Sequence, residues 1–323
     1  MKKQLLTKER ITFILACLVL AICPFFLAKY SLFILSLFAI YTLVSVGLNI
    51  LMGYTGQIAA GHAGFLAIGA YSTTIMNAQV EWLPFIIILP LAGIFTGLIG
   101  FLLGIPTLRL KGFYIAMATL AFGVVVSEVI LQWSSLTGGD DGLSVSRAVI
   151  FGFVFDSHKK LFYLIMTITV LMIIGAINLV RTRVGRAFVA IRESEIASQT
   201  MGINLARYKT IAFAISAFYT GIAGGLFALL IQYISPDSFT IELSIDFIAM
   251  IVIGGMGSIL GSIIGAVILT GMQQLLSGLQ ELQVLIFGLS LIVFMIFMPH
   301  GISGMLTNLT KRFQGPDTFE VTS

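Results

Sequence analysis

The sequence predicts an all-α integral membrane protein with about ten transmembrane helices, and three observations support this. Hydrophobic residues make up 58% of the 323 residues and charged residues only 10%, far below the roughly 25% charged fraction of soluble domains. Ten apolar runs follow one another with short connections. The basic residues fall at alternate connections. Because unpaired backbone groups are not tolerated in lipid, such runs form helices.

The apolar runs leave no room for a separate soluble domain, so we expect residues 1–323 to form a single transmembrane domain. The runs are 11–28, 31–52, 58–77, 84–105, 113–133, 161–180, 208–231, 243–254, 259–276 and 282–298. We interpret the first run as a retained helix, because the distance from Arg10 to Cys17 is too short for a signal-peptide core. Cys17 and Cys23 both lie in this run, which supports neither a disulfide framework nor a metal cluster.

Basic residues predict the orientation of the helices. Lys2, Lys3, Lys8 and Arg10 stand against one acid at the N-terminus, which places this segment in the cytoplasm by the positive-inside rule. Counting runs alternately puts the other basic sites on the same side: Arg109 with Lys111, the segment 181–207, and Lys311 with Arg312. The opposite, outer loops are acidic or balanced, and Lys29 is an exception. The longest outer loop is 134–160, where Gly138, Gly139 and Gly142 around Asp140 and Asp141 predict tight turns. Both termini are therefore predicted to be cytoplasmic.

Two junctions between apolar runs carry no charge, which is unusual for turns in water. They are "GYTGQ" (53–57) and "GGMGS" (254–258), here named the first and second glycine breaks. Four positions from Gly53 onward match four from Gly254 onward at a constant offset, which favours an internal repeat with broken helices lying within the bilayer. In transporters such paired breaks often mark the substrate pathway.

We therefore predict that the translocation pathway, or its flexing, involves residues of these breaks and of the stretch that follows the first. They are Gly53, Gly56, Gly61, His62, Gly64, Gly254, Gly255 and Gly257. Close helix packing explains the glycines equally well. For His62 a hydrogen-bonded packing histidine is favoured. A pore-lining role is the alternative, because polar groups in membrane helices tend to face the protein interior.

Motifs for covalent chemistry and for nucleotide binding are absent from the sequence. It contains no H-E-x-x-H, no G-x-S-x-G and no phosphate loop. We expect no enzyme activity and no cofactor bound by this chain. No basic patch is interleaved with aromatic residues, so we expect no nucleic-acid partner. Glu128 and Asp246 lie near helix ends, whereas ion-coupled carriers more often hold ionisable groups near the midplane.

The charged segment "RTRVGRAFVAIRESEIASQTMGIN" (181–204) interrupts the apolar chain. Each of its charges would cost about 3 kcal/mol in lipid, so the segment stays in the cytoplasm. On a helical wheel Phe188 and Ile191 belong to one apolar stripe, and Val189 and Ile196 form a second. A helix on lipid headgroups needs only one apolar face. Two stripes suggest a helix held between the membrane body and a second protein, and a surface helix is an equal alternative.

Seven stretches carry a family resemblance when taken together and in order. They are "GLNILMGYTGQIAAGHAGFLAIGAY" (47–71), "LRLKGFYIAMATLAFG" (108–123), "TGGDDGL" (137–143), "RVGRAFVAIRESEIASQTMGIN" (183–204), "SAFYTGIAGGLFA" (216–228), "VIGGMGSILGSIIGA" (252–266) and "MPHGISGM" (298–305). The chain resembles the inner-membrane permeases of bacterial ATP-binding-cassette importers for branched-chain amino acids. The resemblance covers nearly the whole chain.

The resemblance implies that the cytoplasmic loop 181–207 docks on an ATPase subunit. The coupling residues would be Gly185, Arg186, Arg192, Glu193, Glu195 and Gly202. The loop is similar to the E-A-A-x-x-x-G signature of such permeases, but Ile196 occupies the Glu position and the acid precedes it. Whether Glu193 or Glu195 contacts the ATPase is therefore open.

The resemblance also implies the partners and the location of the chain. Two ATPase subunits would bind ATP and magnesium, a second related permease would complete the pathway, and an external binding protein would deliver the substrate. The chain would lie in the lipid of the bacterial inner membrane. Permeases for urea or short amides look similar, and ribose-type permeases are more distant. A stand-alone channel or ion-coupled carrier is the alternative of a different class.

Overall fold

The computed structural model describes residues 27–80, 82–110, 112–150 and 153–276, together with residue 24 and some positions between 278 and 304. Almost all of the predicted first helix (11–28), both cysteines and the basic termini lie outside the described residues. So does most of the predicted tenth helix (282–298). The ten-helix count and the location of the termini therefore stay predictions.

Helices dominate the described residues. The α-helices there are α1 (Lys29–Asn49), α2 (His62–Gln79), α3 (Phe85–Thr107), α4 (Phe113–Gln132), α5 (Ser134–Thr137), α6 (His158–Arg181), α7 (Arg183–Glu193), α8 (Glu195–Thr200), α9 (Leu205–Ile231), α10 (Ile241–Gly254) and α11 (Ile259–Leu276). A π-helix (Ile50–Tyr54) continues α1. In this part of the chain 6 stretches are long and apolar enough to cross a membrane, namely Lys29–Tyr54, α3, α4, α6, α9 and α11. An all-α membrane fold is confirmed.

α9 is the central helix, and it packs on α3, α2 and α1. Small residues permit the close approach: a Cβ atom on Gly224 would overlap the backbone oxygen of Leu66, and one on Gly69 would overlap Gly221. In lipid, close packing of this kind replaces the hydrophobic effect as the basis of helix association. The far face of α3 is apolar and exposed, as contact with lipid requires (Ile87, Leu91, Ile94, Leu98, Leu102). The core therefore fixes α2 against α9.

The predicted outer loop 134–160 folds into tight turns and short strands. Gly138, Gly139 and Gly142 have φ angles of 76°, 59° and 62°, which glycine adopts without steric cost, so the predicted turns are confirmed. Four strands occur among the described residues: β1 (Leu143–Ser144), β2 (Val149–Ile150), β3 (Phe153–Val154) and β4 (Tyr233–Ile234). β1 pairs antiparallel with β4 and β2 with β3. The first pair joins this loop to the one between α9 and α10.

The first glycine break is longer than the sequence predicts. The chain leaves helical geometry after Thr55, and residues 56–61 have no regular secondary structure. The next helix begins at His62, so the predicted start at residue 58 is wrong. Gly56 has φ 73°, which ends the helix because right-handed helices need a negative φ. Glycine adopts this angle without the steric cost that a Cβ would bring.

α2 begins inside the helix bundle. The N–H of Ala63 donates to the Ser244 hydroxyl in the first turn of α10 at 2.9 Å, whereas Gly53 lies beside Gly257, just beyond the other end of α10. Ser244 and Gly254 lie ten residues apart in α10, which corresponds to a rise of about 15 Å along the helix axis. The segment 56–61 therefore carries the chain roughly 15 Å, from one end of α10 to the other.

The second glycine break is short. α10 ends at Gly254 and α11 begins at Ile259. Gly255 and Gly257 have φ angles of 118° and 82°, so the chain reverses through conformations that favour glycine. Because the two breaks differ in length, the internal repeat stays a prediction.

Candidate functional site

The charged segment forms two helices rather than the continuous helix that the helical wheel assumes. Thr182 caps α7, its hydroxyl accepting from the N–H of Val184 at 3.2 Å. α7 ends at Glu193, and Ser194 takes an extended φ of −162°. The Ser194 hydroxyl then accepts from the N–H of Ala197 at 3.2 Å and starts α8. Serine at this position is a usual N-cap, so the kink has a local cause.

The two predicted apolar stripes are confirmed as two different surfaces. Phe188 and Ile191 are 0% and 2% exposed and pack into the body of the protein. Val189 and Ile196 are 40% and 80% exposed, and Met201 nearby is 84% exposed. We name Val189, Ile196 and Met201 the outer apolar face of the charged segment. Exposed apolar patches mark sites of contact with other proteins or with lipid.

The two glycines of the charged segment, Gly185 and Gly202, are needed for different structural reasons. Gly185 is buried, and a Cβ atom there would overlap the backbone of Val180 at the end of α6. It is therefore needed for the sharp turn from α6 into α7. Gly202 has φ 83° and no atom within 4 Å of its Cβ position, so it is needed for backbone conformation at the end of α8. Arg186 is exposed and donates to the Arg181 oxygen at 3.3 Å.

The two acids that the sequence leaves as alternatives have different surroundings. Glu195 accepts from Lys209 Nζ at 2.6 Å, and its side chain is 51% exposed. The Lys209 side chain is only 9% exposed, so this cation depends on its partner. Glu193 is exposed and has no hydrogen-bond or ion-pair partner among the described residues. Only Glu193 is thus available to another molecule without breaking an internal pair.

Arg192 connects the charged segment to the first glycine break. Its Nη1 atom donates to the backbone oxygen of Gly53. The same Nη1 would lie 2.6 Å from a Cβ atom on Gly257, and the Arg192 side chain also runs past Gly56. Arg192 therefore contacts both glycine breaks.

Asn49 joins the two breaks to each other. Its Nδ2 donates to the Ser258 oxygen at 2.8 Å and to Ser262 Oγ at 2.6 Å. Its Oδ1 accepts from the N–H of Gly257 at 2.8 Å. The amide is 0% exposed, and an unsatisfied buried polar group is costly, so the three bonds hold the breaks in register.

The other predicted pathway residues are closely packed. A Cβ atom on Gly53 would overlap Asn49, one on Gly61 would overlap the Thr119 oxygen, and one on Gly254 would overlap the Gly261 oxygen. These positions fit the interpretation as close packing. A Cβ atom on Gly64 would lie 2.9 Å from the Cα of Gly123, so α2 also approaches α4 closely.

His62 has the surroundings of a packing histidine. It is 0% exposed, its Nε2 lies 2.7 Å from Ser216 Oγ, and its ring meets Phe65 edge to face. Nδ1 has no hydrogen-bond partner among the described residues. His62 therefore ties the start of α2 to α9.

The sequence interpretation missed three residues that organise this site, Asn49, Lys209 and Ser244. Asn49 had a usable signal, because an amide inside an apolar run is expensive unless it has partners. Lys209 gave no signal of a partner, because basic residues are common where a helix enters the membrane. Ser244 had no signal, since hydroxyls are common in membrane helices and bond within their own helix.

Sequence comparisons identify the family. The family profile described as branched-chain amino acid transport system / permease component matches residues 30–295. The high-affinity branched-chain amino acid transport system permease protein LivM of Salmonella typhimurium is 36% identical, over 96% of this chain and 78% of that protein. LivM of Escherichia coli shows the same identity and coverage. The ribose import permease protein RbsC of Haemophilus influenzae is 23% identical over 79% of this chain and 80% of that protein. No solved structure matches.

The profile spans most of the chain, and the similarity to LivM extends through the charged segment and both glycine breaks. The resemblance seen in the sequence is thereby confirmed. The chain belongs to the permease family of branched-chain amino acid transport systems.

Proposed function

We propose that this chain is the permease subunit of an ATP-binding-cassette importer for branched-chain amino acids in the bacterial inner membrane. The observation that carries the proposal is the hydrogen bond from Arg192 to Gly53. This bond connects α7, which carries part of the exposed outer apolar face, to the end of the first described membrane helix. The printed names of the relatives supply the substrate class.

The outer apolar face is the surface that docks on the ATPase. Ile196 and Met201 are more than three quarters exposed, and a partner that covers them removes apolar area from water. Glu193 lies beside this face and supplies the acidic contact, because Glu195 is held by Lys209. Arg186 lies on α7 with Val189, and Gly202 directly follows Met201.

Movement of the ATPase reaches the membrane through Arg192. A displacement of α7 shifts its guanidinium, which touches Gly53 directly and lies against Gly257. Asn49, one turn before Gly53 at the end of α1, bonds Gly257 and Ser258 of the second break, so the two breaks move together. Positive-φ glycines at the breaks absorb backbone rotation with little steric cost.

The proposal requires partners. Two ATPase subunits hold ATP and magnesium, a second related permease completes the pathway, and an external binding protein delivers the amino acid. This chain binds no cofactor and catalyses no covalent step. Urea or short amides are the alternative substrates. A stand-alone channel or carrier is the alternative mechanism, and the outer apolar face argues against it because a lone carrier has no use for a docking surface.

The test is uptake by the full complex in proteoliposomes. We expect leucine uptake to require ATP, the ATPase subunits and the binding protein, with isoleucine and valine competing and urea not competing. Competition by urea would favour the alternative substrate class. Uptake by the purified chain alone, without ATP, would contradict the importer assignment.

A further inference from the structure

A half-open cavity of about 300 Å³ lies between the start of α2, the second half of α4 and the turn that leads into α10. By the positive-inside count it belongs to the outer half of the protein. Its volume is at the lower end for small-molecule sites, so it accommodates one small solute. We name it the outer cavity; among the predicted pathway residues only Gly64 lines it.

Part of the wall of the outer cavity is apolar. Ala63 and Gly64 come from α2, and Leu120 and Val124 come from α4. The close approach of Gly64 to Gly123 sets the two helices together here. A short aliphatic side chain buried against this wall loses contact with water, which is favourable by about 0.8 kcal/mol per CH₂ group.

Two acidic residues also line the outer cavity. Glu128 and Asp237 both line it, and no basic residue does among the described residues. The Glu128 carboxylate accepts from Gln132 Nε2 at 2.9 Å, which orients it without neutralising its charge. Two carboxylates without a cationic partner favour a positively charged group.

Ser244 provides a third kind of contact. It is 3% exposed, lines the cavity and accepts from the N–H of Ala63. Among the described residues its own O–H donates to no acceptor, unlike the Thr220 hydroxyl, which donates to the Ser216 oxygen. The Ser244 hydroxyl is therefore available to donate to an anionic group in the cavity.

We propose that the outer cavity holds the transported amino acid during its passage. Its ammonium group binds Glu128 and Asp237, its carboxylate accepts from Ser244, and its aliphatic side chain lies against Gly64, Leu120 and Val124. The inference rests on the proposed function and adds the place where substrate binds within this chain. A neutral amide such as urea can donate hydrogen bonds to the carboxylates but carries no positive charge for them to attract.

The test is leucine uptake by the full complex carrying Glu128→Gln, an isosteric change that removes one carboxylate. We expect uptake at low leucine concentration to fall at least fivefold, while ATP hydrolysis stimulated by the liganded binding protein continues. Val124→Trp, at a position 45% exposed, fills the cavity, and we expect it to lower uptake as strongly. Glu242→Gln is the matched control, because Glu242 is an exposed acid of α10 that does not line the cavity.

The outcomes separate this inference from the proposed function. If the wild-type complex takes up leucine and the Glu128→Gln and Val124→Trp complexes take it up equally well, the outer cavity is not the binding site. The importer assignment would still hold. An equal loss in Glu242→Gln would also overturn the outer cavity as the binding site, because the effect would then be one of general outer charge. Failure of the wild-type complex to take up leucine with ATP would overturn the proposed function itself.

Discussion

The Nη1 atom of Arg192 donates a hydrogen bond to the backbone oxygen of Gly53. Arg192 lies in the last turn of α7, and Gly53 lies in the π-helix that ends the first described membrane helix. A charged residue of the segment between α6 and α9 and a glycine at the end of a membrane helix, far apart in sequence, therefore form one junction. Gly257 lies against the same Nη1 atom, so the Arg192 side chain contacts both glycine breaks.

Arg192→Gln should uncouple ATP hydrolysis from transport. A hydrogen bond from a charged donor contributes about 1.5–3 kcal/mol, so we expect uptake to fall at least tenfold at an ATP hydrolysis rate close to wild type. Arg192→Lys keeps a cationic donor and should restore part of the uptake. The measurement is leucine uptake and ATP hydrolysis in the same proteoliposomes.

Arg183→Gln is the control for this change. Arg183 lies on the same helix, is exposed and has no hydrogen-bond or ion-pair partner among the described residues. We expect its uptake to stay near wild type. Equal losses in the two variants would show that α7 needs positive charge in general rather than the contact with Gly53.

Gly257→Ala should damage the junction from the other side. The φ angle of 82° strains any residue with a Cβ, and the new methyl carbon would lie 2.6 Å from Arg192 Nη1. Strain of this kind costs about 1–3 kcal/mol. We expect lower uptake and a lower midpoint of thermal unfolding in detergent.

The matched control is Gly271→Ala in α11. Its Cβ position has only Phe38 Cζ nearby, at 3.5 Å, and alanine is a better helix former than glycine. We therefore expect no loss of stability or uptake. A Gly257→Ala protein as stable and active as Gly271→Ala would show that the second break tolerates a side chain.

The sequence predicts those parts of the structure that depend on composition and periodicity. Strong hydrophobicity predicts the membrane helices, and the glycines around Asp140 predict the outer turns. The spacing of Phe188 and Ile191 against Val189 and Ile196 predicts a two-sided helix, because helical geometry alone separates the stripes. The wheel missed the kink at Ser194, since a cap within a short charged stretch leaves both stripes intact.

Contacts between distant segments were beyond sequence reasoning. The bonds from Arg192 to Gly53 and from Asn49 to Ser258 depend on how α9 and α10 place the breaks. The sequence around Arg192 or Asn49 does not indicate which distant residue will accept its hydrogen bond. The late start of α2 also depends on distant residues. The N–H of Ala60 donates to Thr119 Oγ1 at 2.9 Å, and the N–H of Ala63 donates to Ser244. These bonds satisfy N–H groups that would otherwise bond within a longer helix. Local propensity would have allowed the helix to start earlier.

The pair of Glu195 and Lys209 should respond asymmetrically to mutation. Glu195→Gln leaves a nearly buried ammonium group without its carboxylate, which costs about 1–3 kcal/mol or more. Lys209→Met instead leaves a half-exposed carboxylate that water can solvate. We expect a clearly lower thermal midpoint for Glu195→Gln than for Lys209→Met. The double variant should recover most of the loss, and the reverse order would show that the pair does not stabilise the loop.

Glu193→Lys should weaken the attachment of the ATPase subunits. Glu193 is exposed beside the outer apolar face and has no partner among the described residues, whereas Glu195 is already paired with Lys209. Reversal of a free surface charge hardly affects the stability of the chain, so its effect should appear in the complex. We expect co-purification of the ATPase with the tagged permease to fall at least tenfold, with the thermal midpoint of the isolated permease unchanged.

Glu195→Gln should show the opposite pattern, a less stable permease that still retains the ATPase. If Glu195→Gln releases the ATPase and Glu193→Lys does not, the acid one position before Ile196 makes the contact, and the ion pair with Lys209 must open when the subunits dock.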